Sequence, residues 1–337
     1  MSHAARVGFT RVAAVVAITM LGAAVHSQQT PRQPQPQLKL QTQLPNPYRL
    51  VEGWPTLPAS MNGGRWGELI RADLDPKGNI WVFHRCFNTE PAGAATCVGR
   101  SEPPILQFDP SGRLLASFGG GMFAFPHGFT VDGEGNLWAS DANANETVLG
   151  LSARGSNGVM RGHQVFKLSP AGKVLMTLGN AGVAGNGPDG FDQPSGIAVA
   201  PSGDIFVTDG HGKNDRVVKF SKDGRYLKAW GRHGAGPGEF DQPHDISIGG
   251  SQGRVFVADR SNSRVQIFDQ EGNFIAAWKQ FGRPSAVFVS KDDTLYVSDS
   301  QSNSTVNPGS TRGITVGSAR DGSLRPSFPT PTWRRRT

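Results

Sequence analysis

The chain has 337 residues, and Gly (44) and Pro (24) make up about a fifth of it, against a usual share near 12%. With only 18% charged and 9% aromatic residues, a helical bundle or coiled coil is excluded, since these need long Ala/Leu/Glu/Lys stretches. Wholesale disorder is excluded too, because Val, Ile, Leu, Phe and Trp recur regularly from residue 66 onward. The formal charge of +7 is less informative than it looks: Arg6 and Arg11 lie in the first segment and Arg334, Arg335 and Arg336 in the last, leaving about +2 for the body. Neither a nucleic-acid partner nor a membrane surface follows from so small an excess.

The first element, residues 1–27, reads as a secretory signal peptide. Two arginines precede an apolar run from Val12 to Val25, and Val25-His26-Ser27 gives small residues for cleavage. The run is short for a bilayer span, so no membrane contact is expected once it is removed, and the chain is expected to be secreted or periplasmic. Residues 28–46, rich in Gln and Pro, read as a flexible linker. Export permits a disulfide between Cys86 and Cys97, which flank a Gly/Ala-rich loop; two free thiols are the alternative. Two cysteines are too few for a metal site built from four thiolates.

From residue 47 to 325 the chain repeats itself. RADLDPKGNIWVFHR (71–85), HGFTVDGEGNLWASDA (127–142), SGIAVAPSGDIFVTDG (195–210), HDISIGGSQGRVFVADR (244–260) and SAVFVSKDDTLYVSDS (285–300) can be laid on one another. Each is an alternating apolar run, a turn and a second run, and most continue into a third and a fourth. Four short strands per unit of about 40–50 residues predict an all-β propeller. The unit that begins at Pro126 carries an insertion at 142–160. Phe118, Trp230 and Trp278, near the ends of fourth strands, are expected to pack between blades. Five blades can be counted. Residues 47–65 are too short for another and supply one strand at most, and the basic 326–337 reads as an irregular tail.

In a propeller the first strand of each blade lines the axis, and antiparallel pairing puts its start beside the end of the second strand. His127 and His244 therefore start first strands, while Arg85, Arg260 and His211 follow second strands, all at one mouth. Imidazoles from separate blades suit zinc, with His211 as a third ligand or an acid/base. Arg85 and Arg260 can hold a carboxylate by bidentate bonds, and replacing either by Ala is expected to weaken that hold without unfolding the protein. His163, at the start of a third strand, reads as structural. Asp141, Asp209, Asp259 and Asp299 share one register position with His84 and are expected to cap the loops that follow them. No nucleophile elbow, P-loop or dinucleotide fingerprint is present.

FDQPSGIAVAPSGDIFVTDG (191–210) and ADRSNSRVQIFD (258–269) resemble NHL-repeat propellers. VFHR (82–85), FPHGFTVDGEGNLWASDA (125–142), HQVFKL (163–168) and TDGHGKNDRVVKF (208–220) resemble, more narrowly, the peptidyl-α-hydroxyglycine α-amidating lyase family. The resemblance implies a six-bladed propeller that uses zinc to cleave peptidyl-α-hydroxyglycine to a peptide amide and glyoxylate. It implies zinc at His127 and His244, active-site roles for Arg85 and Arg260, and a proton-transfer role for His211, which stands where the family has tyrosine. It also implies a structural calcium on the main-chain carbonyls of Ala72 and Phe129. The family's third zinc histidine and its calcium carboxylate come from a sixth blade, which is not found in this sequence. The rival reading is a non-catalytic NHL propeller that binds a peptide, glycan or protein partner on its rim; a calcium-dependent propeller lactonase is disfavoured by the scarcity of acidic residues at the first-strand starts.

Overall fold

The structure, a computed structural model, describes residues 51–87, 96–142, 160–325 and 328–329. The expected leader, the linker, most of the 142–160 insertion and the terminal arginines lie outside those residues. Among the described residues, strands form five four-stranded antiparallel sheets, each built from consecutive strands. Blade 1 contains β1 (Leu69–Leu74), β2 (Ile80–His84), β3 (Ile105–Phe108) and β4 (Leu114–Phe118). Blade 2 contains β5 (Pro126–Val131), β6 (Leu137–Asp141), β7 (Gln164–Leu168) and β8 (Val174–Leu178). Blade 3 contains β9 (Pro194–Val199), β10 (Ile205–Asp209), β11 (Arg216–Phe220) and β12 (Tyr226–Trp230). Blade 4 contains β13 (Pro243–Gly249), β14 (Arg254–Asp259), β15 (Arg264–Phe268) and β16 (Phe274–Trp278). Blade 5 contains β17 (Pro284–Val289), β18 (Thr294–Asp299), β19 (Gly313–Ser318) and β20 (Phe328–Pro329). The propeller and the count of five are thus as the repeat predicts. No helix of the described residues is long and apolar enough to cross a membrane.

The hairpins form where the sequence supplies turn chemistry. In the β5–β6 turn, Asp132 Oδ1 accepts the backbone N–H groups of Glu134 at 3.0 Å and Asn136 at 2.9 Å. Gly135 takes φ +84°, a conformation that L side chains avoid. The inner strands β1, β5, β9, β13 and β17 pack side by side in that order. Between successive blades lie apolar clusters, such as Trp81, Phe83, Phe123 and Phe129 between blades 1 and 2. The aromatic residues at the ends of fourth strands pack as expected, each onto a glycine of the next blade. A Cβ at Gly172 would stand 2.8 Å from Phe118, one at Gly272 2.7 Å from Trp230 and one at Gly322 2.7 Å from Trp278.

Two details differ from the sequence reading, and one falls within it. Residues 51–65 add no strand; they form a 3₁₀ turn at Asn62–Gly64 and, with Trp66, a cap in which Leu57, Met61 and Trp66 pack on Val82, Leu106 and Phe108 of blade 1. Burying one face of blade 1 is all that so short a segment can do. The tail, read as irregular from 326, supplies β20, where Ile314 pairs with Phe328 and Gly313 with Pro329. The aspartates that end second strands also fasten the loop leading into their own blade. Asp141 accepts the N–H groups of Ala124 and Phe125, Asp209 that of Asp192, and Asp259 that of Asp241. Each also binds the loop that follows it: Asp141 accepts the N–H of Gly162, Asp209 the side-chain amide of Asn214, Asp259 that of Asn262, and Asp299 the N–H groups of Gln301 and Ser302. The reason is geometric: a carboxylate buried at the strand end faces two loops and satisfies whichever donors are otherwise orphaned.

Cys86 and Cys97 are joined by a disulfide, with Cα atoms 5.3 Å apart. Closing a loop of this size contributes about 3 kcal/mol.

Candidate metal centre at the channel mouth

Prolines fix the starts of β5 and β13 and place His127 and His244 one residue further on. His211 follows β10 by two residues and is held by its backbone N–H on the carbonyl of Gln193 at 3.2 Å. The three rings meet. Their centroids are 4.4 Å apart for His127 and His211, 4.7 Å for His127 and His244, and 5.0 Å for His211 and His244. Each offers a ring nitrogen, and these nitrogens all lie within 4.8 Å of one another.

The hydrogen bonding readies them as ligands. His244 Nδ1 stands 2.6 Å from the carbonyl oxygen of Ser285. A carbonyl only accepts, so Nδ1 carries the proton and Nε2 keeps its lone pair. His211 Nε2 is buried with no hydrogen-bond partner, an orphan that a metal ion would satisfy. Burial, with the neighbouring guanidiniums, holds His211 down to about 3, and burial holds His127 and His244 well below the usual imidazole range. All three are neutral at pH 7, the form that binds metal. Three neutral imidazoles, one with an orphaned nitrogen, fit a zinc ion with an open fourth position.

The arginines converge on the same mouth but are held differently. Arg85 donates through Nε to the carbonyl of Pro126 at 3.1 Å and through Nη1 to Glu68 Oε1 at 3.0 Å, and its guanidinium lies 3.7 Å from the Phe125 ring centroid. Its Nε and one Nη1 donor are thus spent inside the protein. Arg260 donates through Nη2 to Gln242 Oε1 at 3.0 Å, while its buried Nε has no partner. Burial and the nearby Arg283 lower it to about 10. Arg260 is therefore the better placed of the two to receive an anion.

Ala72 and Phe129, whose carbonyls the resemblance assigns to calcium, sit on the adjacent inner strands β1 and β5. His163 is structural in effect: its Nδ1 accepts the N–H of Gln193 at 3.1 Å. In blade 3, Asp215 takes the same role, with Oδ1 accepting the N–H of Gln242 at 2.9 Å. Sequence reasoning missed Glu68, Phe125 and Gln242, which orient the arginines. Phe125 and Gln242 had a signal, since each precedes the proline before its histidine as Gln193 precedes Pro194.

The buried imidazoles also set a pH dependence. Burial lowers His84 to about 4 and His211 to about 3, against about 6.5 in the unfolded chain. Between pH 6.5 and 5 the unfolded chain takes up protons that the folded one refuses, so each ring withdraws about 2 kcal/mol of stability. Burial acts oppositely on Asp141 and Asp209, raised to about 6. Each of these returns about 1 kcal/mol between pH 6 and 5, because the folded state then binds the extra proton. With His127 and His244 shifted in the same direction as His211, the histidines outweigh the aspartates. The thermal midpoint of metal-free protein is expected to fall between pH 7 and pH 5; a midpoint that rises would show that the mouth imidazoles are not buried as neutral rings.

Comparison with known proteins agrees on the propeller fold, with six blades in the matched family against five among the described residues. Residues 190–275 match a family described as a 6-bladed beta-propeller. The chain is 33% identical over 217 residues to the peptidyl-glycine alpha-amidating monooxygenase of Mus musculus, covering 59% of this chain and 20% of that protein. It is 30% identical over 262 residues to peptidyl-alpha-hydroxyglycine alpha-amidating lyase 1 of Drosophila melanogaster, covering 71% of this chain and 43% of that protein. The chain thus spans about a fifth of the first relative and less than half of the second. A crystal structure of a protein of unknown function from Bacteroides caccae shares the fold, with a TM-score of 0.52 at 12% identity over 84% of each chain. Fold and sequence together define a β-propeller of NHL type. Within that class, the chain is similar in sequence to amidating lyases over the stretches just given.

Proposed function

We propose that the protein is an exported, zinc-dependent lyase that cleaves peptidyl-α-hydroxyglycine, or a similar α-hydroxy-amide, to a peptide amide and glyoxylate. The observation that carries this reading is the meeting of three neutral imidazoles beside a buried guanidinium with a free donor. The Cys86–Cys97 disulfide supports an oxidising, secreted or periplasmic setting.

His127, His211 and His244 would hold the zinc, which supplies the Lewis acidity that lowers the pKa of the substrate hydroxyl. The spacing of its ring from the other two favours His211 as third ligand over proton carrier. Ser285, through its carbonyl, fixes the tautomer and tilt of His244. Arg260 receives the terminal carboxylate through its free Nε, and Gln242 fixes the guanidinium plane. Arg85, tied to Glu68, keeps positive potential at the mouth and stacks on Phe125. In the net reaction the hydroxyl gives up its proton, the carbon–nitrogen bond breaks, and the departing amide nitrogen gains a proton as the aldehyde of glyoxylate forms.

The test is glyoxylate release from an N-acyl-α-hydroxyglycine, with zinc content measured on the same sample. One zinc per chain is expected, with release abolished by a chelator and restored by zinc. One zinc per chain with no glyoxylate would overturn the lyase reading and leave a propeller that binds a peptide, glycan or protein on its rim.

A further inference from the structure

At the level just inside the histidines, the five inner strands present Arg71, Gly128, Gly196, Asp245 and Ala286 at one register position. The two glycines let the next inner strand approach closely, and a Cβ on Gly128 would collide with the carbonyl of Ser195. A Cβ on Gly196 would stand 2.6 Å from Asp245 Cα and 2.7 Å from its Oδ1, so blade 3 closes directly on Asp245. Arg71 reaches from blade 1 to the Asp245 carboxylate of blade 4. Its second nitrogen donates to the carbonyl of Val287 in blade 5 at 3.3 Å. Asp245 Oδ2 also accepts the N–H of Val287 at 2.9 Å. One carboxylate and one guanidinium therefore join blades 1, 4 and 5.

This junction stands where the packing of inner strands is interrupted. Between β17 and β1 lies a cleft of about 190 Å³, lined by Arg71, Ala72, Asp73, Val287, Phe288 and Tyr296. Phe288 remains 50% exposed there. Across the cleft, the Arg71 guanidinium joins blade 1 to the Val287 carbonyl of blade 5. His244 is the residue before Asp245, and its Nδ1 is bound to Ser285 of β17. The alignment of β13 with β17 thus sets the direction of the His244 ring, and Arg71 secures that alignment.

We propose that Arg71 is a positioning residue for the metal centre, a fixed cation that clamps three blades around Asp245 and so keeps His244 within reach of His127 and His211. This rests on the zinc reading given above. The test compares wild type with Arg71→Met, Arg71→Lys, Asp245→Asn and the Arg71→Met/Asp245→Asn pair. Zinc affinity is read by competition with a chromogenic chelator, and unfolding is read by circular dichroism in metal-free protein. Arg71→Met is expected to weaken zinc at least tenfold, Arg71→Lys to recover most of it, and the double variant to add little to either single one. Arg71→Met that binds zinc as wild type does would overturn the proposal, as would fully additive effects in the double variant. If Arg71→Met fails to fold, Arg71→Lys against Asp245→Asn makes the same comparison, and equal affinity in both is the overturning result. Wild-type protein without zinc affinity would instead overturn the metal reading itself, and the role of Arg71 with it.

Discussion

Replacing His127 by Ala is expected to lower zinc affinity at least about 100-fold, since losing even a supporting hydrogen bond to a metal ligand costs 10–100-fold. The ring is buried at 6% exposure and touches both other histidines, so no neighbouring imidazole can move in to replace it. His244→Ala should behave alike. His211→Ala separates the two roles open to that residue. As a third ligand its loss lowers zinc content and glyoxylate release together. Retained zinc with lost turnover would return His211 to proton transfer. Metal analysis after dialysis, paired with glyoxylate release, reads all three variants. Full zinc content in both His127→Ala and His244→Ala would remove the metal centre from consideration.

The second large effect is expected at Arg260. Its free Nε and the bond to Gln242 place the guanidinium to bind a carboxylate. Removing one donor from developing or fixed negative charge in such a site costs about 3–4 kcal/mol, or roughly 10²–10³ in kcat/KM. Arg260→Ala should show that loss with little change in thermal stability. Arg85→Ala should differ, contrary to the symmetry the sequence suggests. Glu68 Oε1 bonds Arg85, and Glu68 Oε2 is already buried without a partner. Removing Arg85 strands that carboxylate and is expected to cost about 3 kcal/mol of stability. An Arg260→Ala variant with unchanged kcat/KM on an α-hydroxyglycine peptide would exclude a carboxylate clamp.

Much of this was legible in the sequence, for a physical reason. Alternation at period two, glycine turns and recurring prolines are local signals, and blades are built from consecutive strands. The repeat therefore carries register with it, and register alone brings His127, His211 and His244 to one mouth. What escaped the sequence depends on pairs far apart in the chain. Arg71 and Asp245 are separated by 174 residues, and neither position matches its counterparts in the repeat. Glu68 is one of many exposed-looking glutamates until Arg85 folds onto it. The role of Leu57 and Trp66 depends on the face that blade 1 leaves open, which no pattern within residues 51–66 reveals. β20 has only two residues, too few for alternation to register.

The seating of each aromatic on a glycine of the following blade has a consequence for how the chain is made. Phe118 waits for Gly172, Trp230 for Gly272 and Trp278 for Gly322. At translation rates of about 5–20 residues per second, each ring spends roughly 2–10 s without its seat. Blades thus mature in order from the amino terminus, each sealed by its successor. A glycine replaced in one blade would injure the blade made before it, which has already left the ribosome.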